Sequence, residues 1–164
     1  WLAKNDYGQL KPVQIPLNLA SEVHELFDFF DALAAEQQVR LELEGQAPTI
    51  QGDRSMLRQA ISNLLSNAIR HTPPGEKVQV RLAKPSEQEV SLSVRNSGAE
   101  IPAEHLANIF ERFYRVDPSR TRQSEGAGLG LAIVRSIIAA HGGRVEAASS
   151  PAATTFTLWL PVAT

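Results

Sequence analysis

The segment Leu129–His141 is apolar on almost every side, and this constrains the fold more than any other stretch of the chain. A helix with so little polar surface has to be enclosed by other elements. Gly142-Gly143 stops it, and the glycine-rich run Gly126-Ala-Gly128-Leu-Gly130 leads into it. Around it, strand and helix periodicities intermix. Val13–Leu19 alternates as an edge strand would, since Pro16 is tolerated only at an edge. From Ala20 to Gln37, the residues Val23, Leu26, Phe27, Phe30, Leu33 and Ala34 recur at helical spacing. Val39–Glu44 reads as a strand, and Thr49–Gln51 as another short one. Asp53 caps a helix running to His71, which Pro73-Pro74 ends. Lys77–Ala83 and Glu89–Asn96 are two strands joined by the polar Lys84–Gln88. Ile101-Pro102 opens a short helix leading to Phe110. Residues 116–125 have little to bury and read as a loop, and Arg144–Ser149 and Thr154–Leu160 are two last strands. The order lacks strict βαβ alternation. It predicts an α/β chain of α+β two-layer type, with a mixed sheet of about five strands carrying three main helices on one face. Residues 1–12 read as a linker remnant and 13–164 as one domain.

A chain of 164 residues suits one domain with a substantial core. Its net charge of −2 supplies no basic field for nucleic acid or an anionic membrane. Without cysteine there are no disulfides or thiolate metal sites, which fits a reducing compartment. No apolar run approaches the roughly 18–20 residues that span a bilayer. The chain opens on Trp1 with neither Met nor a signal pattern, so the expectation is an excised, monomeric fragment without membrane contact of its own. The four histidines show no metal-ligand spacing.

Chemistry concentrates in Asn63-Leu-Leu-Ser-Asn67-Ala-Ile-Arg70-His71. On a helical wheel of about 100° per residue, Leu57, Ile61, Leu64 and Ala68 form one stripe. Asn63, Asn67, Arg70 and His71 form a second stripe beside it, at the margin between core and solvent. An amide oxygen is a hard neutral ligand for Mg²⁺, which also keeps waters and phosphate oxygens. The Arg70 guanidinium can meet phosphate through paired donors. Alone, the two amides read more readily as surface residues one turn apart. The glycines of Gly126-x-Gly128-x-Gly130 let backbone N–H groups approach phosphate, with a helix N-terminus behind them. No Gly-Lys-Ser/Thr follows, which excludes a P-loop. Between these segments lies Ile109-Phe-Glu-Arg-Phe113-Tyr-Arg115, where Phe110 and Phe113 share a helical face.

The ordered set resembles the N, F and G2 boxes of the ATP-binding domain of two-component sensor histidine kinases, a Bergerat-type fold. The resemblance covers roughly residues 13–161. It implies Mg²⁺ and ATP as cofactors, with Asn67 as the magnesium ligand and Asn63 a second candidate. Asn63, Asn67, Arg70 and Arg115 would be the catalytic set, Arg115 lying near the γ-phosphate and Arg120 in the lid over the nucleotide. His71, Asn96, Gly98, Ile101, Gly126, Gly128, Leu129, Gly130, Leu131 and Thr155 would complete the ATP site, with Phe110 and Phe113 anchoring the lid. Arg112 and Arg122 read as a solvated face. The resemblance also implies transfer of the γ-phosphoryl to a histidine on a separate dimerisation domain of the same receptor. A cognate response regulator would act downstream. The whole would be a homodimeric bacterial inner-membrane receptor with this domain in the cytoplasm. None of His24, His71, His105 or His141 sits in a phosphoacceptor context, so the chain alone should not label itself.

Two features depart from the family pattern. The G1 box is usually Asp-x-Gly-x-Gly, whereas this chain has Asn96-Ser-Gly98-Ala-Glu100, and Ala153 stands where the terminal segment usually has glycine. Asn96 can accept from the adenine amino group while donating to the ring nitrogen beside it, but a charge-assisted bond becomes a neutral one of about half the strength. Weaker ATP binding than in a standard member is expected. The Asn-x-Gly variant, with Phe-Tyr-Arg-Val-Asp-Pro-Ser-Arg and Glu-Gly-Ala-Gly-Leu-Gly-Leu-Ala-Ile-Val, looks most like the heavy-metal-responsive branch. Two other readings compete. One is a gyrase- or MutL-like ATPase, whose water-activating glutamate Asn63 cannot imitate. The other is a degenerate interaction module that binds nucleotide weakly.

Overall fold

The computed structural model describes residues 11–98, 100–111 and 130–162. Among them, β2 (Arg40–Gly45), β4 (Lys77–Ala83), β5 (Glu89–Asn96), β7 (Thr154–Pro161) and β6 (Arg144–Ser149) form a mixed sheet in the order β2-β4-β5-β7-β6. The β2–β4 pair is parallel and the other three pairs are antiparallel. A separate ribbon joins β1 (Ile15–Leu17) to β3 (Ile50–Gly52) in antiparallel register, with Pro16 opposite Gln51. The two-residue alternation of each strand decides its buried face. Val78, Val80 and Leu82, then Val90, Leu92 and Val94, then Phe156, Leu158 and Leu160 all point inward.

The helices α1 (Leu19–Gln37), α2 (Arg54–His71) and α4 (Gly130–Ala140) cover that inner face, while α3 (Ala103–Leu106) is a single turn. In the helix layer α2 takes the middle, packed on β4 and β5 and flanked by α1 and α4. Its buried stripe is Leu57, Ala60, Ile61, Leu64, Leu65, Ala68 and Ile69. Each Leu or Ile fully buried this way contributes about 1.5–3 kcal/mol. The start of α2 is set by Asp53, whose Oδ1 accepts from the Met56 N–H at 3.1 Å. At its far end Thr72 Oγ1 donates to the Ala68 carbonyl at 2.6 Å, and Pro73 follows.

The architecture matches the sequence expectation of a mixed five-stranded sheet with helices on one face. Local boundaries differ in instructive ways. The first alternating segment is a strand only from Ile15 to Leu17, because Asn18 caps α1 by accepting from the Ser21 N–H at 3.1 Å. It pairs with β3 and stands outside the main sheet. The helix expected from Ile101 to Phe110 is limited to Ala103–Leu106, after which the chain continues in turns. The apolar helix is confirmed from Gly130 onward, with Ala132, Ile133, Val134, Ile137 and Ile138 buried and Arg135 on its open side.

Candidate functional site

The two asparagines stand half-buried on α2, next to its core stripe. Asn63 Nδ2 donates to the Gly130 carbonyl at 3.0 Å, and Asn63 Oδ1 accepts from Gln59 Nε2 at 2.9 Å. Gly130 is the first residue of α4 and the last glycine of the G-x-G-x-G run. The asparagine helix and the end of the glycine-rich segment therefore meet directly. Asn67, one turn further on, makes no hydrogen bond among the described residues. Arg70 and His71 lie exposed in the last turn, where positive charge is favoured by the helix dipole.

The loop after β5 packs against the same end of α2. Gly98 has φ +139°, and a Cβ there would lie 2.5 Å from the His71 carbonyl oxygen, so only glycine fits. Asn96, at the end of β5, is 5% exposed. Its Nδ2 donates to the Ser97 carbonyl at 2.6 Å. One of the two N–H donors of its amide, expected to offer a single bond to a base, is thus already committed. Beyond the loop, the Ile101 N–H donates to Ser149 Oγ at 2.9 Å, and Ser149 Oγ shares a 2.6 Å hydrogen bond with Thr154 Oγ1. Ile101 and Leu131 are half-buried against the core. Phe110 is buried and meets Phe156 edge-on, with ring centroids 6.0 Å apart.

Thr155 is placed differently from the other candidates. It follows Thr154, so strand alternation turns its side chain to the outer face, away from Asn96. Thr154 is the buried threonine opposite Asn96 in the β5–β7 register. Counting back two residues from Phe156 by strand alternation places it on the buried face. Ser149 has no local sequence signal, because its role depends on a contact with Ile101. Arg115, Arg120, Phe113, Gly126, Gly128 and Leu129, like Arg112 and Arg122, lie outside the described residues.

The same helix pair is joined at its other end. The Asp53 N–H donates to His141 Nε2 at 3.0 Å, which leaves the ring proton on Nδ1 to bond the Ile137 carbonyl at 2.8 Å. With Asn63–Gly130 at one end and Asp53–His141 at the other, α2 and α4 run antiparallel. Further from the site, the buried carboxylate of Glu22 on α1 accepts from Arg54 Nε at 3.3 Å and Arg58 Nε at 2.6 Å. The hydrogen bonds to Glu22 and then Glu25 raise the Arg58 pKa above its usual value.

Residues 52–164 match the family described as histidine kinase-, DNA gyrase B- and HSP90-like ATPase. Sensor histidine kinase CusS of Escherichia coli (strain K12) is 50% identical over 161 residues, covering 98% of this chain and 33% of CusS. The chain thus spans about a third of that relative's length. The catalytic domain of histidine kinase ThkA superposes with a TM-score of 0.80 at 27% identity, covering 92% of this chain and 99% of that one. ThkA has also been solved in complex with the response regulator protein TrrA, where the TM-score is 0.76 at 26% identity and the coverage 90% and 41%. Full-length ShkA in complex with AMPPNP gives a TM-score of 0.83 at 28% identity, covering 94% of this chain and 32% of that one. With Gly130 at the start of α4 bonded to the asparagine helix and these likenesses together, the chain belongs to the histidine kinase-, DNA gyrase B- and HSP90-like ATPase family, and over nearly its whole length it is similar to the catalytic domains of sensor histidine kinases.

Proposed function

We propose that this domain binds Mg²⁺-ATP between α2 and the start of α4 and delivers the γ-phosphoryl to a histidine on a separate dimerisation domain. The observation that carries this reading is the Asn63–Gly130 hydrogen bond, which joins the amide pair to the phosphate-approaching glycine segment. Asn67 suits magnesium: its half-buried amide has no partner among the described residues, and an oxygen ligand is what the ion prefers. When bound, the ion would neutralise charge on the transferring phosphates. The chain's own residues supply position and charge. Asn63 orients the start of α4, Arg70 offers paired donors to phosphate oxygens, and Asn96 presents its amide to the base.

An amide at position 63 cannot take a proton from water, which favours transfer to another group over hydrolysis. Arg115, Arg120 and the glycines at 126 and 128 belong to this proposal as lid and phosphate contacts, with Phe110 and Phe113 anchoring the lid. Thr154 replaces Thr155 as the threonine nearest the base, on the strength of its register with Asn96. For the full-length protein, the proposal is a homodimeric inner-membrane receptor with this domain in the cytoplasm, a response regulator as downstream partner and heavy-metal-responsive signalling. Relatedness to CusS and the complex of ThkA with TrrA support it.

Calorimetric titration tests the core of the reading. ATP with Mg²⁺ is expected to bind one-to-one, and Asn67→Ala to weaken that binding far more with Mg²⁺ than in EDTA. Equal losses in both conditions would remove the metal from Asn67. No binding at millimolar ATP would remove the nucleotide altogether.

A further inference from the structure

The main sheet ends on β2, and among the described residues no strand pairs with β2 on the side away from β4. We propose that this open edge, with the groove between β2 and α1, docks an extended segment of a partner protein that alternates apolar and basic residues. The segment adds to the sheet as a further strand. The Arg40 N–H donates to the Glu76 carbonyl, so the backbone groups of Arg40, Glu42 and Glu44 face β4. Those of Leu41 and Leu43 therefore face outward. Such an unpaired row is a template for another chain. The pairing with β4 runs without a bulge from Arg40 to Gly45, and the strand holds no proline, so two devices that close other edges are missing. At the opposite edge of the sheet, α3 packs against β6.

The side chains around the edge say what fits it. Phe27, Ala34, Val39 and Leu41 line the groove, and Asp28 and Asp31 stand on its rim. Leu41 and Leu43 are only half-buried, although they share the inward face with Val78 and Val80 of β4. Apolar side chains pointing inward from an added strand would cover them. Charge gives the second requirement. The helix α1 carries five carboxylates, Glu22, Glu25, Asp28, Asp31 and Glu36, and no lysine or arginine. Glu22 and Glu25 are met by Arg54 and Arg58 of α2, but Asp28 and Asp31 have no ion pair among the described residues.

The chain already contains one strand that satisfies both requirements. In β4, Lys77-Val-Gln-Val-Arg81-Leu-Ala, the valines lie inward opposite Leu41 and Leu43. On the outer face Lys77 Nζ is 3.1 Å from Glu42 Oε1, and Arg81 Nε is 3.6 Å from Glu44 Oε1. A segment of the same kind meets the same alternation from the open side, where the second oxygen of each glutamate remains. A second copy of this chain is the poorer occupant, because it brings the same acidic helix and the same two glutamates to the junction.

The experiment titrates this chain with the capped heptapeptide Lys-Val-Gln-Val-Arg-Leu-Ala, followed by backbone amide resonances and hydrogen exchange. The amides of Leu41 and Leu43 are expected to shift along one saturation curve and to exchange more slowly at saturation, while Gly130 stays where it was. The charge-reversed peptide Glu-Val-Gln-Val-Glu-Leu-Ala should bind at least about tenfold more weakly. Two N-methylated forms, one blocked on its Val and Leu nitrogens and the other on Lys, Gln and Arg, should bind unequally, because only alternate N–H groups face the ladder. The double variant Glu42→Gln, Glu44→Gln should weaken the peptide several-fold without moving the urea midpoint appreciably, since exposed ion pairs add little stability. Shifts confined to Val145 and Ala147 on β6, equal binding of the charge-reversed or of both N-methylated peptides, or no shift at millimolar peptide would each overturn the proposal. Movement of the Leu41 and Leu43 amides on simple dilution of the chain would overturn it in favour of a second copy. The peptide series needs no variant, so a poorly folding double variant leaves the test decisive. Nucleotide binding is measured separately at α2 and α4, and its outcome does not depend on this one.

Discussion

Asn63 serves two neighbours with one amide: its oxygen accepts from Gln59 on its own helix, and its nitrogen donates to the first carbonyl of α4. Asparagine is a mediocre helix former, so its place here is explained by the second contact. Replacing it with alanine removes a bond worth about 1 kcal/mol of stability. The larger effect is expected on function, with Mg²⁺-ATP affinity falling at least about tenfold. Urea denaturation and calorimetry on Asn63→Ala separate the two, and an unchanged ATP affinity would contradict the role given to this residue. At Gly98 the constraint is steric. A side chain would meet the His71 carbonyl in a backbone conformation that L-residues rarely adopt. Gly98→Ala should cost about 2 kcal/mol or more, measurable as a lower urea midpoint. A loss below about 0.5 kcal/mol, the ordinary range of a surface substitution, would show that the loop yields.

The pairing of α2 with α4 gives the site its frame. At the far end of the pair, His141 is buried with both ring nitrogens engaged, one accepting from the Asp53 N–H and the other donating to Ile137. His141→Phe keeps an aromatic ring but strands the Asp53 donor, so about 1–3 kcal/mol of stability should be lost. A urea-unfolding curve that superposes on the wild type would contradict this. On the other flank of α2, Glu22 joins α1 to Arg54 and Arg58. Both arginines remain partly in water, so the pair is weaker than a fully buried one. Glu22→Gln keeps the shape and removes the charge, and a modest loss of about 1–2 kcal/mol is expected on thermal or chemical unfolding. Periodicity along each element was readable before any contact was known. The stripe of Leu57, Ile61, Leu64 and Ala68 marked the buried face of α2, and the asparagines fell beside it. The three-residue strands β1 and β3 were harder, because so short a run has no period of its own and is defined by its partner.

Across the whole molecule, hydrophobic patterning carried the fold and short polar motifs carried the site, but the two kinds of information have different limits. Patterning records which face of a strand or helix is buried. It does not record which distant backbone group a serine or histidine will meet. The Ser149–Ile101, His141–Asp53 and Asn96–Ser97 contacts were therefore invisible until the chain was folded, although every residue involved was in view. Thr154 is a different case, since alternation from Phe156 already placed it inward. Binding to the folded state alone should also register globally. At a hundredfold excess over the dissociation constant, Mg²⁺-ATP adds about 2.7 kcal/mol, which in a domain near this size raises the melting temperature by about 5–10 °C. A scan showing no shift at millimolar nucleotide would contradict the assignment.

The most direct measurement follows individual resonances through a titration with Mg²⁺-AMPPNP. The side-chain amides of Asn63 and Asn67 and the backbone amide of Gly130 should all move, along one saturation curve with one dissociation constant. If the nucleotide saturates while either the asparagine amides or Gly130 stay where they were, α2 and the start of α4 do not enclose the same ligand.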